Sequence, residues 1–313
     1  MTQPVLTVQE LKKTFKVGFT RKVVEAVRGI SFEVGQGEIF GFLGPNGAGK
    51  TTTIKTIMDL IRPTSGTVRI FGRPPGDMEA RLKVGYLPEQ PYFYDYLKPG
   101  ELLDFFGKLY GLDSAERRQR ITRLIERVGL GHARDRTLRR FSKGMLQRAG
   151  VAQALIGNPE LVILDEPLSG LDPIGRKELK DVIANLRTEG KTVFFSSHIL
   201  ADIELLCDKI VIIDKGKLRF FGTVKDFLKT GRSEVEIVVA GAPEELLARV
   251  SSQGGKVDRF GNRAKLVVAG DRSRELVDAL LAAGADLEAV VPRTEGLEEL
   301  FVRMAGKGEE AAR

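Results

Sequence analysis

The segment Gly44-Pro45-Asn46-Gly47-Ala48-Gly49-Lys50-Thr51-Thr52 constrains this chain more than any other stretch. It satisfies the pattern GxxxxGK[ST], with Gly44, Gly49, Lys50 and Thr51 in register. Glycines let a backbone curl so that successive N–H groups converge on one point, which suits the clustered negative charge of a nucleoside triphosphate. Lys50 adds a point charge for the outer phosphates, and the Thr51 hydroxyl is a candidate magnesium ligand. A helix expected to start near Lys50 brings its positive dipole end to the same place. The motif requires a strand in front and a helix behind, and the run Glu38 to Leu43 leads straight into it.

Other β-rich runs set the rest of the architecture. Val5 to Val8, Val23 to Val27 and Ile30 to Val34 come before the loop. Thr67 to Phe71, Val84 to Leu87, Leu161 to Leu164, Thr192 to Phe195 and Lys209 to Ile213 come after it, with helical patterns between them. This order predicts a mostly parallel sheet flanked by helices, with an extra antiparallel piece at the N-terminal end. Residues from about Pro99 to Arg140 read as all-helical and interrupt the alternation, which predicts a helical lobe over about residues 92–157. Beyond Gly231 the strand and helix runs follow the order βαββαβ, with Gly261-Asn262 as the hairpin turn and a closing helix near Leu297 to Met304.

A chain of 313 residues suits one large domain and one small one. The hydrophobic share of 42% is enough for a packed core, and no apolar run reaches the length of a membrane span. The start, MTQPVLTVQELKK, lacks an apolar signal-peptide core, and Cys207 is the only cysteine, which rules out an internal disulfide frame. A cytoplasmic protein is expected. Its charge is uneven: residues 231–313 carry 12 Lys and Arg against 15 Asp and Glu, or −3, so that residues 1–230 carry +10 of charge and the whole chain +7. Nine arginines lie between Arg117 and Arg140. Such a basic body is compatible with nucleic acid or an anionic membrane surface, and equally with a solvated helical face.

A phosphate loop needs an acidic strand end. Leu161 to Leu164 followed by Asp165-Glu166 supplies one, with two carboxylates where a buried strand emerges at the ligand-binding edge of such sheets. Asp165 is placed to hold magnesium, and Glu166 to orient or deprotonate an attacking water. Upstream, Phe141-Ser142-Lys143-Gly144-Met145 precedes that strand, with Ser142 reading as a helix N-cap.

Taken in order, these segments resemble the ATP-binding subunits of ABC transporters. FSKGM stands where that family usually has LSGGQ, Ser169-Gly170-Leu171-Asp172 matches its D-loop, and Phe195-Ser196-Ser197-His198 its switch histidine. The resemblance covers roughly residues 5–225. It implies a P-loop NTPase fold of the ABC type: an α/β core with an antiparallel N-terminal subdomain and a helical lobe within residues 1–230. A small α+β, ferredoxin-like accessory or regulatory domain over residues 231–313 completes the expected fold. It also implies ATP and Mg2+ as cofactors, and ATP hydrolysis coupled to transport. Lys50, Glu166 and His198 are then catalytic, and Thr51, Glu89 and Asp165 face the metal. Phe15 stacks on adenine, while Gly44 to Thr52 and Ser142, Lys143 and Gly144 bind nucleotide, the last three from the opposite subunit of a homodimer. Integral membrane permease subunits are the implied partners, on the cytoplasmic face of the membrane, with export favoured and no nucleic acid expected.

Three departures from the family pattern stand out. The Q-loop glutamine falls on Glu89, with Gln90 next to it as the alternative. Lys143 replaces a glycine and Met145 a glutamine. Phe19 competes with Phe15 for the stacking place. All five tyrosines lie between Tyr86 and Tyr110, in a neighbourhood that docks the membrane subunit in the family; core packing is the other reading. A soluble ABC ATPase acting on nucleic acid or ribosomes is the competing class. Such proteins usually carry paired cassettes or a coiled-coil insertion, and neither is present.

Overall fold

The computed structural model describes residues 3–18, 22–229 and 233–294, together with Leu300. Phe19 and the helix expected over Leu297 to Met304, Leu300 apart, lie outside the described residues. The chain divides into two compact units, Met1–Val224 and Lys225–Arg313.

The first unit begins with the strands β1 (Leu6–Val17), β2 (Lys22–Val34) and β3 (Ile39–Leu43), and then α1 (Lys50–Ile57). There follow β4 (Ser65–Ile70), α2 (Met78–Leu82), β5 (Val84–Leu87), α3 (Pro99–Leu109), α4 (Ser114–Arg127) and α5 (Lys143–Leu155). It continues through β6 (Leu161–Leu164), α6 (Pro173–Thr188), β7 (Thr192–Ser197), α7 (Leu200–Leu206), β8 (Lys209–Asp214) and β9 (Lys217–Thr223). The short helix α8 (Val224–Lys229) leads out of it.

Two sheets result. The central one has six strands in the order β5-β6-β7-β3-β8-β9, parallel except for β9, which pairs antiparallel with β8. The other has three antiparallel strands in the order β2-β1-β4. β3, β6 and β7 are buried along their whole length, as the continuous apolar runs of a sheet covered on both faces require. An aromatic cluster joins the sheets: Phe32 of β2 lies 5.7 Å from Phe40 and 5.5 Å from Phe42 of β3, and 6.1 Å from Phe194 of β7. Offset ring packing of this kind holds β3, whose end carries the phosphate loop, in a fixed place. On the other side Gly41 admits α7, since a Cβ there would stand 2.7 Å from the Cys207 sulfur. Burial pushes the Cys207 thiol well above its ordinary range.

The strand reading is corrected in three places. Val23 to Val27 and Ile30 to Val34 form one strand, which passes through Gly29 at φ 80° beside a register shift. β1 runs on to Val17 through a lysine-rich stretch whose partner is β2 rather than a buried face. β9 was not expected from the apolar pattern, and none of its residues is fully buried. The helical lobe comprises α3, α4 and α5 with two single-turn 3₁₀ helices, Gly131–Ala133 and Leu138–Arg140.

The second unit contains β10 (Ser233–Ala240), α9 (Glu244–Ser252), β11 (Lys256–Phe260), β12 (Arg263–Ala269), α10 (Gly270–Ala282) and β13 (Asp286–Thr294). Its sheet order is β11-β12-β10-β13, with every neighbouring pair antiparallel. This is the ferredoxin-like arrangement of a βαββαβ chain. Val235, Ile237, Val239, Leu266 and Val268 face Leu247, Val250 and Leu280 in its core.

Candidate nucleotide site

β3 ends at Leu43, and the chain turns through Gly44 to Gly49 before α1 begins. Gly49 caps the helix at φ 106°, where a side chain is strained, and a Cβ there would meet the Ala26 carbonyl oxygen at 2.4 Å. Only glycine fits. Beside this turn lies a cavity of about 410 Å3, lined by Pro45, Asn46, Gly47, Gly49, Lys50, Thr51 and Thr52. Ala26, Glu89, Glu166, Ser169 and His198 complete the wall. Three separate strand ends (β3, β6 and β7) thus converge with the loop after β5, at the edge where parallel sheets bind ligands.

Glu166 is the hub. Its Oε1 stands 3.1 Å from Lys50 Nζ, and its Oε2 lies 2.8 Å from His198 Nδ1. The Lys50 ammonium also donates to the carbonyls of Gly44, at 2.7 Å, and Pro45, at 3.3 Å. Glu166 Oε1 has an ion-pair distance but no aligned hydrogen bond. The residue itself sits at φ 50°, an uncommon conformation for a side-chain-bearing residue, with its N–H on Ser196 Oγ at 2.8 Å. Gln147 Nε2 donates to its carbonyl at 3.3 Å.

Asp165 is fully buried. Its Oδ1 accepts the Ser196 hydroxyl at 2.7 Å, while Oδ2 has no hydrogen-bond partner. Burial raises its carboxyl above the usual carboxylate range, the Ser196 hydrogen bond and the nearby Thr51 hydroxyl oppose that, and the charges of Glu89 and Glu166 add to it. An orphaned buried carboxylate oxygen beside the Thr51 hydroxyl is a hard-oxygen environment that fits Mg2+. Among the described residues no group of three or more His, Cys, Asp or Glu is arranged to hold a metal unaided.

The remaining candidates are distributed as follows. Glu89 lines the cavity, whereas Gln90 accepts from the exposed Tyr92 hydroxyl at 3.2 Å. Gly44 and Ala48 belong to the loop without lining the cavity. Phe15 does not line it either; it pairs with Val24 and lies under the Lys13 ammonium at 4.9 Å. Ser142 caps α5, accepting from Met145 N at 3.2 Å, and Ser142, Lys143 and Gly144 are absent from the cavity wall. Ser142 and Lys143 are exposed. Ala26 and Gln147 are not among the sequence candidates, and Ser169 and Ser196 enter the sequence reading only as members of the D-loop and switch-histidine motifs, without a role of their own. A polar Ser196-Ser197 pair closing the apolar run Thr192 to Phe195 was the one signal that could have singled out Ser196.

The model of the ABC transporter family matches residues 27–169. An uncharacterized ABC transporter ATP-binding protein of Synechocystis sp. is 42% identical over 304 residues, covering 96% of this chain and 84% of that protein. The chain belongs to the ATP-binding subunits of ABC transporters. The linearmycin resistance ATP-binding protein LnrL of Bacillus subtilis is 33% identical over 305 residues, 94% of this chain and 97% of that protein. A solved ATP-binding subunit of an ABC transporter superposes with a TM-score of 0.64 at 33% identity, covering 72% of this chain and 92% of that one. The subunit is accordingly an ATPase with the α/β nucleotide-binding fold of its family. Among its described residues, no helix is long and apolar enough to cross a membrane.

Proposed function

We propose that two copies of this chain close around two ATP molecules and, by hydrolysing them, drive export through separate membrane-spanning subunits at the cytoplasmic face of the membrane. The observation that carries the reading is Glu166, buried between Lys50 at 3.1 Å and His198 at 2.8 Å at the rim of the phosphate loop. A carboxylate in that place can orient or deprotonate a water attacking the γ-phosphate. With its Nδ1 engaged by Glu166, His198 keeps Nε2 for that phosphate. The loop from Gly44 to Thr52 cradles the phosphates, with Lys50 neutralising charge as it develops. Thr51 and Asp165, with Glu89 beside them, would hold Mg2+, which would offset the negative charge of the phosphates. The strand pair that carries Phe15 also brings Ala26 to the cavity, and adenine is placed against that ring.

Closure by a second copy explains the position of Ser142, Lys143 and Gly144. The N-terminus of α5 offers unpaired N–H groups and a positive dipole end, yet it does not reach the cavity of its own chain. The exposed Tyr92, Tyr94 and Tyr96 favour a protein contact on the helical lobe, where the membrane subunit docks in this reading. A relative named for linearmycin resistance supports outward transport. The C-terminal unit is assigned an accessory, regulatory role. Solution scattering of Glu166→Gln with ATP and Mg2+ tests the reading: a doubled mass is expected, and single molecules at saturating nucleotide overturn it. Co-purification with a multi-span partner is the second expected outcome.

A further inference from the structure

We infer that Ser196 is a positioning residue for the hydrolytic site, fixing both acidic side chains through one hydroxyl. The inference rests on the ATPase reading above. The parallel register of β6 and β7 pairs Leu164 with Phe195, so the next residues, Asp165 and Ser196, come side by side. Ser196 is fully buried, and its hydroxyl has two partners. It donates to Asp165 Oδ1 at 2.7 Å and accepts the Glu166 N–H at 2.8 Å. A buried hydroxyl with donor and acceptor both engaged has one orientation, so it transmits the position of β7 to both acids.

The consequences differ for the two acids. Oδ1 of Asp165 is taken up by Ser196, which leaves Oδ2, buried and without a partner, as the oxygen available to a cation. Glu166 is held in its left-handed backbone conformation at φ 50° by the N–H bond. Two residues further along the same strand exit, His198 Nδ1 holds Oε2 of the same glutamate at 2.8 Å. One strand therefore grips Glu166 twice, by main chain and by side chain. Groups that orient the ligands of a metal alter its affinity or the activity by about 10–100-fold when removed.

The test uses the full chain and two readouts: equilibrium binding of a fluorescent ATP analogue with and without Mg2+, and single-turnover hydrolysis. Ser196→Ala is expected to bind nucleotide like wild type in EDTA. Its gain in affinity on adding Mg2+ should shrink about tenfold, and its turnover rate should fall about 10–100-fold with little change in KM. Ser196→Thr, which keeps the hydroxyl, should restore most of both. Ser196→Cys keeps the size but is a weak donor, and should resemble Ser196→Ala; it serves if the alanine chain fails to fold. Wild-type magnesium response and turnover in Ser196→Ala or Ser196→Cys would overturn the inference. A wild-type protein that hydrolyses nothing in the same assay would instead overturn the ATPase reading of the site.

Discussion

The Lys50 ammonium and the Glu166 carboxylate stand 3.1 Å apart, with 6% and 7% of their side chains exposed. Both are ionisable groups taken out of water, and each is the other's main compensation. Lys50→Ala should therefore act twice. Nucleotide affinity should fall at least about tenfold, as a phosphate loses a charged partner. The nucleotide-free protein should also lose stability, on the order of 3 kcal/mol, because Glu166 is left buried without a cation. Titration calorimetry and urea denaturation read the two effects; unchanged affinity would mean that the loop is not a phosphate cradle.

His198 shares Glu166 from the other side. His198→Ala should lower turnover about 100-fold, in the range of positioned proton-handling groups, while leaving nucleotide affinity nearly as it was. Separate measurements of KM and kcat decide this. A loss confined to affinity would make His198 a binding group only.

Glu89 lines the cavity while its neighbour Gln90 is engaged by Tyr92 outside it. Glu89→Ala should raise the Mg2+ concentration needed for half-maximal hydrolysis, and Gln90→Ala should leave it unchanged. The reverse result would transfer the role to Gln90.

The helical lobe has its own tie. Asp104 of α3 meets Arg117 of α4 at 2.5 Å and Lys108 at 2.7 Å, and these hydrogen bonds hold its carboxyl below the usual range. A lowered carboxyl pKa stabilises the fold above the ordinary value of 3.8, and that contribution disappears as pH falls through the folded-state value. With about a third of Asp104 exposed, solvent screening leaves on the order of 0.5–1 kcal/mol. Asp104→Asn should lower the Tm at pH 7, and the difference should shrink as the pH is taken below 3.8 and through the folded-state value. A Tm difference that stays constant with pH would remove the ion pair as its cause.

Much of this was legible from residue order because the nucleotide core is built from fully buried strands, which read as unbroken apolar runs. Leu161 to Leu164 and the glycine spacing of Gly44 to Gly49 are examples. The second unit was legible through Gly261-Asn262, whose turn sets the β11–β12 pairing. The full length of the β1–β2 ribbon and all of β9 were not, since strands with few buried residues depend on their partners rather than on apolar alternation. Ser196 escaped for a different reason: a serine in a strand is ordinary until register sets it against Asp165. Separate chain segments meet there, and no local pattern records the encounter.

Cys207, tucked against Gly41, is the only sulfhydryl in 313 residues, and burial raises its pKa, which disfavours the reactive thiolate. Any cysteine engineered onto an exposed position such as Lys143 thereby becomes the single reactive handle on the molecule. Spin labels or dyes can be attached there in the natural background, so that whether two copies approach each other during turnover can be read as a spectroscopic distance.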